Sequence, residues 1–355
     1  MIYSWQNNLE AALERISYTA TGSVPLHVYR AGGRIALAVP KDPRLTKIVI
    51  DLYQPQRLKG SAFKLATSML SRTGKRLGAY THSPDADLLP QIPSLQEPAR
   101  AGSLGFLGCN PSHGLRCVIA GIDPKTGETF IAKLGLDESA DAVRQEYESL
   151  LQLHHQFSGL VKPTAQESGD DWYLMRLPYL GNSSPSSMNL PAIAELLQSW
   201  TSNEVVRIDG CDLTASLIEH TQVNHALSGW HHKVGALKVS RALVHGDFAV
   251  WNLRNTKNGL FAIDWEWAEP KGIAGIDLIH GLRQEASMVR KLNAKAAIDW
   301  MLEQLKSDLW TPYLTRSGWS DHHLDLLRIG LLNSHHNAKN DSRELLAEVG
   351  IYLGA

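Results

Sequence analysis

At 355 residues the chain exceeds one typical domain, and 43% apolar with 20% charged residues lies near globular averages, which excludes a disordered or fibrous protein. Lys plus Arg number 35 against 36 Asp plus Glu, and a net charge of -1 excludes a general nucleic-acid coat. No run approaches the ~18 apolar residues of a membrane span, the opening MIYSWQNNLEAALERI lacks a signal peptide's basic start and apolar core, and Cys109, Cys117 and Cys211 form no C-x-x-C pair, so a cytoplasmic protein with reduced thiols is expected.

Residues 1–95 read as a small appended α/β module. Trp5, Leu9, Ala12, Leu13 and Ile16 keep helical spacing, HVYRAGGRIALAV and KIVIDLY read as strands with the first bent at Ala31-Gly32-Gly33, and Phe63, Ala66 and Leu70 mark a further helix. Gly74-Lys75 is followed by Arg76 and lacks the upstream glycine, so it is no Walker loop. The run LLPQIPSLQEPARAG, with Pro90, Pro93 and Pro98, reads as a linker and puts a boundary near residue 100.

From 101 to 180 strands dominate. SLGFLGCNPSHGLRCVIAGID suits a hairpin turning at Asn110-Pro111, with glycines at 105, 108 and 114 whose backbone amides could cap phosphates. The strand ETFIAKLG carries Lys133 near its end. Ser139 then caps a helix whose apolar stripe is Val143, Tyr147, Leu150, Leu151 and His154, with Glu146 at the stripe's edge and Glu148 away from it. WYLMRLPYLG reads as another strand. After Gly181 the polar NSSPSSMN leads into a helical part, where Pro191 starts a helix with Ile193, Leu196, Leu197 and Trp200 on one face. Further helices are expected over 212–230, 285–308 and 321–353. The pairs His231-His232, His322-His323 and His335-His336 are adjacent residues, which do not face one point on a helix and so serve a zinc ion poorly.

The chemistry concentrates in RALVHGDFAVWNLRNTKNGLFAIDWEW, residues 241–267. Asp247 and Asn252 lie five apart in a loop, and LRNT, Lys257-Asn258-Gly259 and LFAI read as a tight hairpin signalled by its Asn-Gly pair. A hairpin returns the chain to its start, so Asp264 is expected beside Asn252. Two carboxylates and an amide oxygen around one small volume suit an oxygen-liganded Mg²⁺ next to a general base.

With His245-Gly246-Asp247 at its head and Asp264-Trp265-Glu266 after the hairpin, the segment resembles the aminoglycoside phosphotransferase and choline kinase superfamily, whose loop reads HGDxxxxN and whose metal aspartate lies in an I-D-[FW]-E run. The resemblance covers residues 101–340. It implies an α+β, bilobal protein-kinase-like fold: a strand-rich N-lobe at 101–180, a helical C-lobe at 181–355, and the α/β module of residues 1–95 outside both. ATP in the cleft between lobes is implied with it. So are the roles: Lys133 steadies the phosphates, Glu146 orients Lys133, and the stretch Met175 to Leu177 is the hinge whose backbone reads adenine. Asn252 and Asp264 are implied to bind Mg²⁺, with Glu266 helping a second ion. Asp247 accepts the proton of the attacking hydroxyl or aligns it, and Asp277 in GIDLIHGL supports the loop.

The implied acceptor is a hydroxyl of a small molecule. The helical part shows no acidic run for a polycation, which favours a neutral or anionic acceptor such as a sugar or sugar derivative. Two other readings stay open: a non-catalytic nucleotide-binding regulatory or scaffold module, and nucleotidyl transfer to a protein.

Overall fold

The computed structural model describes residues 8–16, 26–31, 34–52, 64–69, 79–80, 91–109, 114–181, 183–211, 222–223, 228–338 and 343–352. Expectations that fall on Trp5, Phe63, Leu70, Gly74-Lys75, the Gly32-Gly33 and Asn110-Pro111 turns and most of 212–227 lie outside the described residues. The chain divides into two units, Met1–Leu151 with Val161–Asn182, and Gln152–Leu160 with Ser183–Ala355. The α+β class is as expected, with strands prevailing in the first unit and helices in the second.

The first unit is built on one antiparallel sheet. Its strands are β1 (Leu26–Ala31), β2 (Arg34–Val39), β3 (Ala79–Tyr80), β4 (Leu104–Gly108), β5 (Arg116–Ile122), β6 (Thr129–Leu136), β7 (Ala165–Ser168) and β8 (Trp172–Pro178), in the spatial order β3-β1-β2-β4-β5-β6-β8-β7. Among the described residues, helices α1 (Asn8–Ile16), α2 (Pro43–Leu52), α3 (Pro93–Arg100) and α4 (Ser139–Leu153) accompany it, with a further helical stretch over 64–69. One face of the sheet, with Phe106, Ile119, Ala132 and Leu134, shares a core with Leu9 and Leu13 of α1 and Leu95 and Ala99 of α3.

Three expectations change here. KIVIDLY belongs to a helix, α2, because Leu45, Ile48, Val49 and Leu52 recur at the helical i, i+3, i+4 and i+7, which a short apolar run conceals. Asp42 caps it, its Oδ1 accepting from the N–H of Arg44 at 2.7 Å and of Leu45 at 3.2 Å, and Pro43 fits the first helical position. The proline-marked linker contains α3, with Pro93 in its first turn and Leu95, Pro98 and Ala99 buried. The boundary near residue 100 therefore does not separate two sheets: β2 pairs directly with β4 through Leu37–Leu107 and Ala38–Phe106.

In the second unit α5 (Pro191–Trp200) is followed by β9 (Thr201–Arg207), the short β10 (Gln222–Val223), α6 (Trp230–Gly235) and β11 (Lys238–Val244). Then come β12 (Leu253–Thr256), β13 (Gly259–Ala262), β14 (Glu269–Ile273), α7 (Ile276–Gln284), α8 (Ala294–Leu305), α9 (Thr311–Ser317), α10 (His323–Ala338), α11 (Arg343–Glu348) and β15 (Ile351–Tyr352). β11 lies between β14 and β9, β12 pairs with β13, and β10 with β15. The loop from 245 to 252 leaves β11 over a core of large aromatics: Trp200 stacks edge-on against Trp265 at 5.1 Å and Phe248 at 5.5 Å between centroids. Among the described residues no helix is long and apolar enough to cross a membrane.

Candidate active site

β6 and α4 set the first cluster. Strand alternation turns Phe130, Ala132 and Leu134 into the core and leaves Lys133 on the opposite face. Two turns into α4 the carboxylate of Glu146, 3% exposed, takes the Lys133 ammonium on both oxygens, each at 2.7 Å. Glu148 is exposed, so the structure selects Glu146 between the two. Leu151, expected in the stripe, is 43% exposed, and Leu153 is buried instead. Met175 is fully buried opposite Lys133 in β8, and both edges of its strand are paired, with β6 on one side and β7 on the other. β7 pairing ends at Arg176, so of the expected adenine-reading stretch only Leu177 lies past it.

The second cluster is the loop after β11. Gly246 is obligatory there: its φ is +85°, and a Cβ would lie 2.5 Å from the carbonyl oxygen of Trp267. The buried carboxylate of Asp277, from the first turn of α7, accepts the backbone N–H of His245 at 2.7 Å on Oδ2 and of Gly246 at 3.1 Å on Oδ1. Burial pushes Asp277 up to about 7 against the pull of those two N–H groups, with Asp247 and Glu269 adding to the rise. His245 is fully buried; it accepts the N–H of Asp247 on Nδ1 at 3.2 Å and so carries its proton on Nε2, toward the carbonyl of Ile263 at 2.9 Å. Burial pushes its pKa down, outweighing the nearby Asp247 and Asp264 carboxylates, consistent with that neutral ring.

Asp247 and Asn252 are brought together as expected: the Asn252 amide nitrogen donates to Asp247 Oδ2 at 3.0 Å and to the Asp247 carbonyl at 2.8 Å. That orientation points the nitrogen at Asp247, so the amide oxygen is the atom turned away from the carboxylate. The hairpin also forms, with Leu253 opposite Ala262 and Thr256 opposite Gly259, so the turn residues are Lys257 and Asn258. The N–H of Ile263 donates to the carbonyl of Asn252 at 2.9 Å, which sets Asp264 one residue beyond Asn252's partner. Asp264 itself takes a φ of +72°, a conformation rare outside glycine and typical of sites that aim a side chain. Glu266 is partly buried, and Trp265 between them is 1% exposed, its indole N–H donating to Ala262 O at 3.0 Å.

Asn252 and Asp264 are oxygen donors of the kind Mg²⁺ takes. Among the described residues no group of three His, Cys, Asp or Glu could hold a metal. Mg²⁺ does not require one, since it is bound through one or two carboxylates together with substrate phosphates and water. The donor set therefore fits.

Sequence reasoning missed the group that stands behind Asp247. His280, 2% exposed on α7, places Nε2 3.0 Å from Asp247 Oδ1 and Nδ1 3.1 Å from Ser334 Oγ of α10, and Gln284 approaches Nε2 at 3.2 Å. Burial of Asp247 raises its pKa, but the hydrogen bonds it accepts from His280 and Asn252 hold it below the usual carboxylate range. The signal was present: Asp277 and His280 are i, i+3 on α7, so a helix that aims one at the loop aims the other there too.

No family profile matches the chain, and no curated protein matches it. Among solved structures it resembles aminoglycoside phosphotransferase APH(3'')-Id from Streptomyces rimosus at 12% identity, over 63% of this chain and 90% of that one, with a TM-score of 0.41. A Haemophilus somnus protein assigned as a fructosamine-3-kinase aligns at 11% identity over 72% of this chain and 94% of its own, with a TM-score of 0.44. A thermostable mutant of aminoglycoside phosphotransferase APH(4)-Ia, solved with ADP and hygromycin B, aligns at 11% identity over 69% and 92%, with a TM-score of 0.41. These likenesses are weak, so the chemistry of this chain has to be read from the geometry of its own two clusters.

Proposed function

We propose that the chain is an ATP-dependent phosphotransferase that moves the γ-phosphate to a hydroxyl of a small molecule, a sugar or sugar derivative being the first class to test. The observation that carries this is the loop: Asp247 hydrogen-bonded to Asn252, the hairpin returning Asp264 to Asn252, and Asp277 holding the loop backbone. A hairpin whose polar residues only cap turns has no use for a buried carboxylate behind it. The Lys133–Glu146 pair supports the same reading from the strand-rich unit, as a phosphate-holding lysine kept in place by a glutamate.

In the reaction the acceptor oxygen bonds to the γ-phosphorus, the bridging bond to the β-phosphate breaks, and ADP leaves with the electron pair. Asp247 Oδ aligns the hydroxyl and takes its proton, while His280 and Asn252 fix the carboxylate's plane. Asn252 and Asp264 would hold Mg²⁺, with Glu266 helping a second ion, and the metal would supply neutralisation of phosphate charge. Lys133 would neutralise phosphate charge in the same way. Because the transition state is loose, alignment and charge neutralisation supply most of the rate.

The test is a γ-phosphate transfer screen over sugars, amino alcohols and aminoglycosides with Asp247→Ala as control. Label on a product, lost in the variant, supports the reading. ATP binding without ADP release would instead mark a sensor or scaffold, and a product heavier by AMP would mark nucleotidyl transfer.

A further inference from the structure

Lys133 leaves the sheet from one face, and the neighbours on that face decide what it can hold. Cross-strand register makes Leu107, Val118, Lys133 and Met175 one row of side chains and Gly105, Ala120, Ile131 and Leu177 the next. On the far side of Lys133 the face is covered by the start of α4, where a Cβ on Gly135 would lie 2.4 Å from the Ser139 carbonyl oxygen. On the near side it is covered by α2. Leu45, Ile48 and Val49 cluster with Ala120, and Ile131 packs against them. A Cβ on Gly105 would sit 2.6 Å from Val49 Cγ2, so only a glycine admits the helix this closely. Arg44 Nη2 adds a hydrogen bond to Thr129 Oγ1, at the start of β6, at 3.1 Å.

Rows on one face are ~7 Å apart, two residues of strand rise. The sheet surface left beside the Lys133 ammonium is thus one row wide, enough for phosphates and too narrow for the ribose and base attached to them. The covered row is otherwise a good floor for a flat ring, since Gly105 and Ala120 are small and Ile131 is apolar.

We propose that α2 is a built-in cover of this face, and that a nucleotide whose phosphates Lys133 holds lays its base on the Gly105–Ala120–Ile131 row only after α2 has left it. The proposal rests on Lys133 being a ligand of the phosphoryl donor. Helix and nucleotide compete for one surface, so the chain with α2 seated binds nucleotide weakly, and a signal that draws α2 away turns the site on.

In the full chain, Val49→Asp puts a charge into the buried contact between α2 and the sheet and leaves the Gly105–Ala120–Ile131 floor unchanged. Calorimetric binding of Mg·ATP is expected to tighten at least ~10-fold over the unmodified chain, the differential affinity of the two states being what shifts the balance. Equal or weaker binding by the folded variant overturns the proposal. If neither the variant nor the unmodified chain binds nucleotide, the phosphoryl-donor reading fails and the cover falls with it. Amide hydrogen exchange in the unmodified chain gives a second measurement should the variant not fold. Saturating Mg·ATP is expected to speed exchange over residues 43–52; unchanged or slower exchange with nucleotide bound overturns the proposal.

Discussion

Lys133 and Glu146, thirteen residues apart, meet because a strand and the helix after it are regular, and one bidentate ion pair completes the arrangement. Asp247 and Asn252 sit on a loop without a ladder of its own, and four other groups hold it: Asp277 on two backbone N–H groups, His245 bridging to Ile263, Gly246 in a left-handed conformation, and His280 behind the carboxylate. The two clusters solve one problem, fixing a charge in a set direction, by different means. Where periodicity does the placing, the supporting residue is a charge partner and its loss is felt as stability. Where a loop does the placing, the supporting residues act on backbone and orientation, and their loss is felt as rate.

The comparison breaks first, if it breaks, at Asp247. Replacing it by Ala is expected to lower kcat by ~10²–10⁴-fold, the usual contribution of a positioned acid or base, with a thermal midpoint near wild type because 36% of the side chain is exposed. Turnover near wild type for Asp247→Asn on the true acceptor would remove the residue from the chemistry. Glu146→Ala should behave in the opposite way, since it leaves Lys133 without its charge partner while the lysine keeps 19% side-chain exposure. A loss of about 3 kcal/mol in denaturant unfolding is expected, the lower end for breaking a buried pair. A Lys133→Met/Glu146→Leu double variant should recover part of it, and no recovery would show that packing, not charge, sets the cost.

Asp277 sharpens the contrast through pH. Its folded pKa, about 7, is raised above the ordinary 3.8. A group of that kind favours the folded state most below its unfolded pKa, and the contribution is lost as pH rises through the folded one. Wild type should therefore lose roughly 2–3 kcal/mol from this group between pH 5 and pH 8. Asp277→Asn should flatten that part of the stability profile while lowering kcat, because one of the two loop N–H groups then meets an amide NH₂. Parallel profiles for wild type and variant, by denaturant midpoints, would place the titration elsewhere.

Legibility in the sequence follows the same division. Lys133 and Glu146 could be read from alternation on β6 and the stripe of α4, and Asp264's return could be read from the hairpin, because each depends on spacing inside regular elements. The hairpin was legible although its turn falls on Lys257-Asn258, one residue earlier than the Asn-Gly pair suggests. The features that stayed hidden are tertiary. KIVIDLY has the composition of a strand and is resolved as helix by the Asp42 cap and by Gly105, 56 positions beyond Val49, whose missing side chain admits that valine. The three prolines of 88–102 look like a linker until Leu95 and Ala99 are seen buried under β4 and β6. Ser334 reaches His280 from another helix, 54 residues away, and no local pattern announces it.

His280 gives the smallest expected effect and the finest test of the distinction. Its imidazole touches the carboxylate of Asp247 and neither backbone N–H of the loop, so its role is to set the plane of that carboxylate rather than to hold the loop in place. A Gln at this position keeps a donor near the Nε2 site, whereas Leu fills the volume without one. If orientation is what matters, His280→Leu should lower kcat by about tenfold, near the lower end of the ~1.5–3 kcal/mol of one hydrogen bond to a charged group, with KM for both substrates unchanged and His280→Gln largely restored. A purely packing role predicts the reverse order, since Leu suits a buried site better than Gln. Equal loss in both variants with KM rising would mean that His280 shapes the acceptor pocket instead. Ser334→Ala, one step further back, removes only the partner of Nδ1 and should cost less than His280→Leu, because the ring stays clamped between Asp247 and its helix.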